Sequence, residues 1–571
     1  MTRRPPTTPR TLICVPIMVH DVDEALHDAQ RSKSGGADLV EFRIDDFFTG
    51  DAQTADREER ELLRLVASSP LACIVTCRSK DEGGHYDGTD EARISLYERL
   101  GTASGKIGDL NSHPPRYLDI EAATYLRSAN LAMKVNLAVA ERDRDDAPWL
   151  IASMHDFATR PPDLLRRLAA ARQIDKASVL KVAYRARSLR DSLELLDLCR
   201  EADSPTIALG MGEYGTLSRI LAPKFGGFLT FASLAAQSAT APGQPTLSEL
   251  TDLYRFRSIK PSTRVYGIIG SPVSHSLSPK VHNAGFELLK QDAVYVPLPI
   301  AASDDLEASY ISFKATMWDL IHHSHLNFCG ASVTLPHKEN LVRLARAEKW
   351  KLDTISDVSG SANTLVVDRS NPAFPRCSVF NTDVRAVSEL LDPHGVAMSG
   401  GAGHSGRPKA LVIGAGGVGR AIAHGLARDN CHVTIANRTI DKAQAIVNSI
   451  ALSGFPNHAR SAYLETIKAE GFHFIIQCTS VGMVGPNQDQ TPVSPEFWNN
   501  AGNAAVLETI YTPRETPFVK DALAAGCRVH YGRDMFILQA LAQMMLWVPD
   551  PDIPYAPPPE HLAAIYERLT R

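Results

Sequence analysis

"KALVIGAGGVGRAIAHGLARDNCHVTIANRT", residues 409–439, holds a complete strand–turn–helix–strand pattern. The apolar run ending at Ile413 enters Gly414-x-Gly416-x-x-Gly419, a helical stretch follows, and "HVTIA" closes the unit as a second strand. Glycines there permit a tight turn, close approach of a pyrophosphate and helix–strand packing, with the phosphates at the helix N-terminus. Gly414, Gly416, Gly417 and Gly419 are therefore the candidate cofactor residues, and the stretch predicts a Rossmann domain. A bare GxGxxG is weak; the strand before it and the helix after it carry the reading. The acid expected ~20 residues on, for a ribose 2′-hydroxyl, is missing. Asn437, Arg438 and Thr439 stand at the strand end instead, and Arg438 suits the 2′-phosphate of NADP. An ordinary solvated arginine is the plainer alternative.

Upstream, "PHGVAMSGGAGHSGRP" (393–408) is a Gly/Ser-rich break, and before it a further α/β pattern starts at "VYGIIGSPVSHSLSPKVHN" (265–283). "SVTLPHKEN" places Lys338 just after an apolar run, and "VFNTDVRA" places Asp383 at another strand end. A lysine and an aspartate can serve as proton donor and partner beside a hydride-transfer site, although most such pairs are surface salt bridges. Ser276 and Ser278 in "SHSLSP" offer hydroxyls to a carboxylate or polyhydroxy substrate. Equally, Ser278 could cap a helix ahead of Pro279. "IHHSH" gathers His322, His323 and His325, but no acid or cysteine stands nearby at metal-site spacing, so no metal is expected.

The first half repeats a different unit. Strand-like runs at 12–18, 38–44, 71–77, 116–121, 149–155, 178–184, 205–210 and 228–233 alternate with amphipathic segments. Eight such units in about 250 residues predict a (β/α)8 barrel over 11–258. In "DLVEFRIDDF", Glu41, Arg43 and Asp45 share one strand face and Val40, Phe42 and Ile44 the other; Asp119 and Glu121 repeat this. Arg78 and His155 close two further strands. Charged residues in phase near strand ends mark the catalytic mouth of a barrel. "SVLKVAYRAR" (178–187) puts Lys181 inside an apolar strand, where it is either a paired structural lysine or an amine that attacks a carbonyl. "LYRFRSIKPSTR" (253–264) reads as a linker between the halves.

The bulk numbers agree with several folded domains. The chain has 571 residues, 44% of them apolar and 22% charged, with a formal charge of −5. That balance carries no nucleic-acid footprint, and no apolar run reaches the ~18 residues of a membrane span. The first ten residues are basic and Pro-rich, without a signal-peptide apolar region, and a strand follows at once. Nine scattered cysteines read as buried free thiols of a cytoplasmic protein.

The first half resembles type I 3-dehydroquinate dehydratase through "ADLVEFRID", "CRSKDEGG", "SMHDF", "VLKVAYRA", "GTLSRI" and "TAPGQP". The second resembles shikimate dehydrogenase through "GSPVSHSLSPKVHN", "VTLPHKEN", "GSANTLV", "FNTD", "GAGGVGRA", "ANRT", "CTSVGM" and "YGRDMFILQALAQ". The fused order is similar to the plant-type bifunctional enzyme and to the C-terminal part of the fungal pentafunctional arom protein. The resemblance implies that Lys181 forms a Schiff base with 3-dehydroquinate, acidifying the neighbouring carbon for syn loss of water. It makes His155 the general acid/base, Glu82 its orienting acid, and Glu41, Arg43 and Arg78 contacts to substrate hydroxyls. Arg219 clamps the carboxylate, with Gln244 and Thr240 (a serine in most of the family) in a closing loop. In the second half it implies catalysis by Lys338 and Asp383 on 3-dehydroshikimate, with NADP as cofactor. Ser276 and Ser278 hold the carboxylate, while Asn363, Thr364 and Gln539 bind hydroxyls or nearby groups. The usual Gly-Ala-Val-Asn-Thr reads Gly360-Ser361-Ala362-Asn363-Thr364, a departure that touches spacing residues and not the expected ligands.

The expected domains are thus a dehydratase barrel at 11–258, a substrate domain at 264–392, a Rossmann NADP domain at 408–530 and helices returning to the substrate domain at 531–571. The expected partners are 3-dehydroquinate, 3-dehydroshikimate and shikimate, with no nucleic acid or membrane; the oligomeric state stays open. Two alternatives stand beside this reading. A non-catalytic regulator of quinate metabolism resembles the same domains but is free to lose Lys181, His155, Glu82, Lys338 and Asp383, all present here. A quinate or quinate/shikimate dehydrogenase would favour a smaller residue where Ser278 stands.

Overall fold

Runs rich in Val, Ile and Leu become strands buried on both faces, the pattern parallel sheets require. A computed structural model describes residues 10–139, 147–174, 177–235, 243–391 and 406–548. The chain divides into two compact units, residues 1–264 with 291–300 and residues 265–290 with 301–571.

In the first unit, β1 (Leu12–Met18), β2 (Leu39–Arg43), β3 (Ala72–Thr76), β4 (Tyr117–Glu121), β5 (Trp149–Asp156), β6 (Ala177–Arg185), β7 (Thr206–Met211) and β8 (Leu229–Phe231) form one sheet. Their order is β8-β1-β2-β3-β4-β5-β6-β7, and all seven neighbouring pairs are parallel. The Phe228 N–H donates to the Thr206 carbonyl at 2.9 Å, which brings the two edges together as a nearly closed barrel. Each expected strand is present, with ends shifted by two residues or fewer.

Three side-chain layers follow from the two-residue period. Leu39, Ile74, Tyr117, Ile151 and Val179 belong to one buried apolar cluster. Two residues further along the same strands stand Glu41, Thr76, Asp119, Ser153 and Lys181. Two further again come Arg43, Arg78, Glu121 and His155, at or just beyond the strand ends. An apolar plug thus supports two polar layers toward the C-terminal mouth.

The expected linker is a packed strap for its first half. Tyr254, Phe256 and Ile259 are buried, and Arg257 pairs with Asp38 at 2.7 Å. Its arginines misled the sequence reading, because the buried aromatics lie between them.

In the second unit, β9 (Arg264–Gly270), β10 (Phe328–Val333), β11 (Lys351–Leu352), β12 (Thr364–Asp368) and β13 (Arg376–Phe380) lie side by side in the order β9-β10-β12-β13-β11. β12 runs antiparallel to both its neighbours. The Rossmann sheet holds β14 (Lys409–Ile413), β15 (His432–Asn437), β16 (Ala459–Tyr463), β17 (Phe474–Gln477), β18 (Ala505–Glu508) and β19 (Arg528–His530). It is all parallel in the order β16-β15-β14-β17-β18-β19, the doubly wound arrangement with its switch point at the first strand. The helix Gly532–Trp547 lies back on the mixed sheet, where the Trp547 indole donates to the Leu365 carbonyl at 2.9 Å. Among the described residues no helix is long and apolar enough to cross a membrane. None of the nine cysteines is in a disulfide, and eight of them are buried.

Candidate functional site

Lys181 sits 5% exposed between two carboxylates. Its Nζ donates to Glu41 Oε1 at 3.1 Å and to Asp119 Oδ2 at 2.9 Å, and lies 4.6 Å from the Phe231 ring centroid. Strand register brings them together: Ser153 faces Lys181 across β5 and β6, and the in-phase positions of β2 and β4 supply the anions. Asp119 accepts three charged or polar donors, adding Arg78 Nη2 at 2.7 Å and Ser153 Oγ at 2.6 Å to Lys181. Burial alone would push its carboxyl up, but Arg78 and Lys181 outweigh burial and hold it well below the usual range. Thr76 Oγ1 donates to Glu41 Oε1 at 2.7 Å, so Glu41 is likewise fixed.

The neighbouring layer carries the proton-transfer candidates. His155 Nδ1 lies 3.0 Å from Glu82 Oε2, which also accepts the His155 backbone N–H at 3.0 Å. Burial, with the Arg78 and Lys181 charges, pushes the imidazole well below its ordinary pKa, so it is neutral at pH 7. Burial raises Glu82 to about 7, and Arg78 limits the rise. Arg93, fully buried, donates to Glu121 at 2.7 Å, and Glu121 in turn accepts the Ser79 N–H at 3.0 Å. That pair tethers the loop that bears Glu82.

Arg43 is committed to Asp45, with Nε and Nη2 each 2.9 Å from its oxygens. Arg219 is 3% exposed, and among the described residues its guanidinium donates from Nε alone, to the Gly210 carbonyl at 3.0 Å. No carboxylate among the described residues pairs with it, and burial lowers it to about 10. Gln244 is buried. Thr240 lies outside the described residues.

In the second unit Lys338 opens the helix Lys338–Ala347, and its Nζ donates to Asp383 Oδ2 at 2.7 Å. Asp383 stands in the first turn of the helix Thr382–Leu391, three residues beyond the strand Arg376–Phe380 at whose end the sequence places it. Asn363 Nδ2 donates to Asp383 Oδ1 at 2.9 Å and reaches Gln539 Oε1 at 3.4 Å. Thr364 Oγ1 donates to Asn363 Oδ1 at 2.8 Å. Lys338, Asp383, Asn363, Thr364 and Gln539 are thus one buried or half-buried network. Gln543, which the sequence reading passed over, braces it by donating to Thr364 Oγ1 at 3.0 Å. Ser276 Oγ accepts the Ser278 N–H at 3.2 Å. Ser278 is the first residue of its helix, so it does not fill the cap position that was the plain alternative for it. His322 stacks on Trp318 at 3.9 Å, and His323 Nδ1 accepts the backbone N–H groups of His325 and Leu326, a helix-end turn.

The dinucleotide turn can be tested against the group it is expected to hold. Gly414 has φ +107°, open to glycine, and a Cβ on Gly419 would stand 2.2 Å from the Gly414 carbonyl oxygen. A Cβ on Gly416 would meet nothing within 4 Å, so the turn is open on the side of the helix Gly417–Arg428 N-terminus. Asn437 Nδ2 donates to the Thr439 carbonyl at 2.9 Å, and Arg438 projects exposed from the same strand end. The residues fit a dinucleotide phosphate chain.

A lysine-bearing parallel barrel followed by a dinucleotide-binding unit with its own Lys–Asp pair defines the class: a two-activity fusion of a barrel lyase and a dehydrogenase. The type I 3-dehydroquinase family matches residues 13–261, the shikimate dehydrogenase substrate-binding domain matches 268–365, and shikimate/quinate 5-dehydrogenase matches 401–481. The chain is 33% identical to the chloroplastic bifunctional 3-dehydroquinate dehydratase/shikimate dehydrogenase of Arabidopsis thaliana over 549 residues, 94% of this chain and 82% of that protein. It is 36% identical to the NADP(+) shikimate dehydrogenase of Syntrophobacter fumaroxidans over 307 residues, 52% of this chain and 92% of that one. The solved dehydroquinate dehydratase and shikimate dehydrogenase portion of S. pombe AroM is similar over 99% of both chains, with 21% identity and a TM-score of 0.40. The chain belongs to the bifunctional 3-dehydroquinate dehydratase/shikimate dehydrogenase family.

Proposed function

We propose that this protein dehydrates 3-dehydroquinate to 3-dehydroshikimate in its barrel and reduces 3-dehydroshikimate to shikimate in its second unit. The observation that carries the first activity is Lys181, held by Glu41 and Asp119 in a buried layer beside the His155–Glu82 pair. Its amine, after giving a proton to a neighbouring base, attacks the ketone; loss of water leaves an iminium on Nζ. Burial, helped by the nearby cations, keeps His155 neutral, and ionised Glu82 takes its Nδ1–H, leaving Nε2 as the base. Nε2 removes the proton beside the iminium carbon and returns it to the departing hydroxyl. Water then hydrolyses the product from Lys181. Arg219 supplies the cation for the substrate carboxylate.

For the second activity, Gly414, Gly416, Gly417 and Gly419 would hold the pyrophosphate, with Asn437, Arg438 and Thr439 around the 2′-phosphate. NADPH supplies the hydride when bound. Lys338 gives a proton to the ketone oxygen as it becomes a hydroxyl, and Asp383 keeps that ammonium in place. Ser276 and Ser278 receive the carboxylate; Asn363, Thr364 and Gln539 position the hydroxyl-bearing side. We take the domains as 11–258, 264–392, 408–530 and 531–571, and the compartment as the cytoplasm, a reading supported by nine cysteines that form no disulfide.

Borohydride added with 3-dehydroquinate should inactivate the dehydratase and leave substrate-derived mass on the peptide bearing Lys181. Full dehydratase activity in Lys181→Ala refutes the assignment.

A further inference from the structure

The loop Gly360–Thr364 departs from its family's usual sequence at Ser361, and the structure gives that serine an unusual setting. Ser361 is 1% exposed, and its Oγ has no hydrogen-bond partner among the described residues. A buried hydroxyl without a partner is costly and rarely retained. Its backbone is pinned instead: the carbonyl accepts Asn381 Nδ2 at 2.9 Å and Ser359 Oγ at 3.2 Å. The hydroxyl itself stands against the dinucleotide turn. Ser361 Oγ lies 3.1 Å from where a Cβ on Gly417 would stand, at the first residue of the helix Gly417–Arg428.

We propose that Ser361 is a further cofactor-binding residue, whose hydroxyl donates a hydrogen bond to the pyrophosphate of the dinucleotide seated on the Gly414–Gly419 turn. This rests on the NADPH reading given above. The helix N-terminus provides backbone N–H donors and positive potential. Ser361 adds a side-chain donor from the opposite lobe, which an alanine at this position lacks. The same loop carries Asn363, bonded to Asp383, and its Ala362 N–H donates to the Lys338 carbonyl at 3.2 Å. A phosphate held by Ser361 is thus tied through three residues of backbone to the Lys338–Asp383 pair.

The test is direct binding to the full-length protein, read by NADPH fluorescence without substrate, with adenosine 2′-monophosphate as a probe that lacks the pyrophosphate. Ser361→Ala should weaken NADPH by about 10-fold, the low end for a hydrogen bond to a charged acceptor. The 2′-monophosphate affinity should not change, and the unliganded melting temperature should hold or rise, because the substitution removes an unpartnered buried hydroxyl. Ser361→Ala with wild-type NADPH affinity overturns the inference while the cofactor reading stands. Equal weakening of both probes also overturns it, since the loss is then not at the pyrophosphate. A wild-type protein that binds no NADPH overturns the cofactor reading itself, and this inference with it.

Discussion

Replacing Asp119 by asparagine tests the barrel's electrostatics without touching the proposed nucleophile. Asp119 Oδ1 accepts Arg78 and Ser153, and Oδ2 accepts Lys181. An amide offers one oxygen, so one of the two cations then faces an NH2 group. Breaking a buried pair from one side costs ~3–5 kcal/mol. Each cation keeps another anion here, Glu41 at 3.1 Å from Lys181 and Glu121 at 3.3 Å from Arg78, which places the loss near the lower figure. At ~2–4 °C per kcal/mol for a domain of this size, the barrel should melt ~6–12 °C lower. Residual dehydratase and dehydrogenase activities after graded heating read the two units in one sample. The dehydratase midpoint should fall and the dehydrogenase midpoint should not. The pH dependence has a fixed sign. Asp119 titrates lower in the fold than in the unfolded chain, so its stabilisation is complete above the ordinary carboxyl pKa of ~3.9 and fades as pH falls toward the native value. The difference between wild type and Asp119→Asn should therefore persist from neutrality to about pH 5 and shrink below that. An unchanged dehydratase midpoint, or parallel loss of both activities, refutes the argument.

Three further outcomes are expected, two at Glu82 and one at Arg438. Dehydratase kcat should rise with pH through about 7 as Glu82 ionises, and Glu82→Gln should abolish that limb and lower the plateau at least ~10-fold; a surviving limb near 7 assigns it elsewhere. Because Glu82 titrates higher in the fold than unfolded, its stabilising contribution is present below ~4.3 and lost as pH rises through about 7, so the Gln variant should gain relative stability on the alkaline side, checked by melting across pH. Arg438→Ala should raise the KM for NADPH by ~10-fold or more, leave NADH use unchanged and spare the dehydratase, measured by steady-state kinetics with both cofactors; equal weakening of both cofactors removes Arg438 from the 2′-phosphate.

The strands of the barrel were legible because each is a short apolar run, and the two-residue period already put Glu41, Arg43, Asp119 and Glu121 on one face. What the period does not supply is register. That Asp119, and not only Glu41, meets Lys181 depends on how β4, β5 and β6 slide past one another. Arg93 gave no signal either, since a helical arginine among Asp90, Glu91 and Glu98 looks solvated until the fold turns it under the loop. In the sequence Ser361 looks like a spacer, because what stands opposite it is a glycine 56 positions later in the chain. The strap at 253–259 failed for the converse reason, its charges masking Tyr254 and Phe256.

The carboxylate-binding role proposed for Arg219 would tie ligand occupancy to heat resistance. A desolvated guanidinium with no carboxylate among the described residues weakens the barrel, and on that proposal an incoming carboxylate would relieve the burden as it binds. Acids should therefore protect the dehydratase against heating more than their methyl esters do, and chloride should blunt the protection by competing for the same cation. Arg219→Met would reverse the relation: a sturdier empty barrel, deaf to the difference between an acid and its ester.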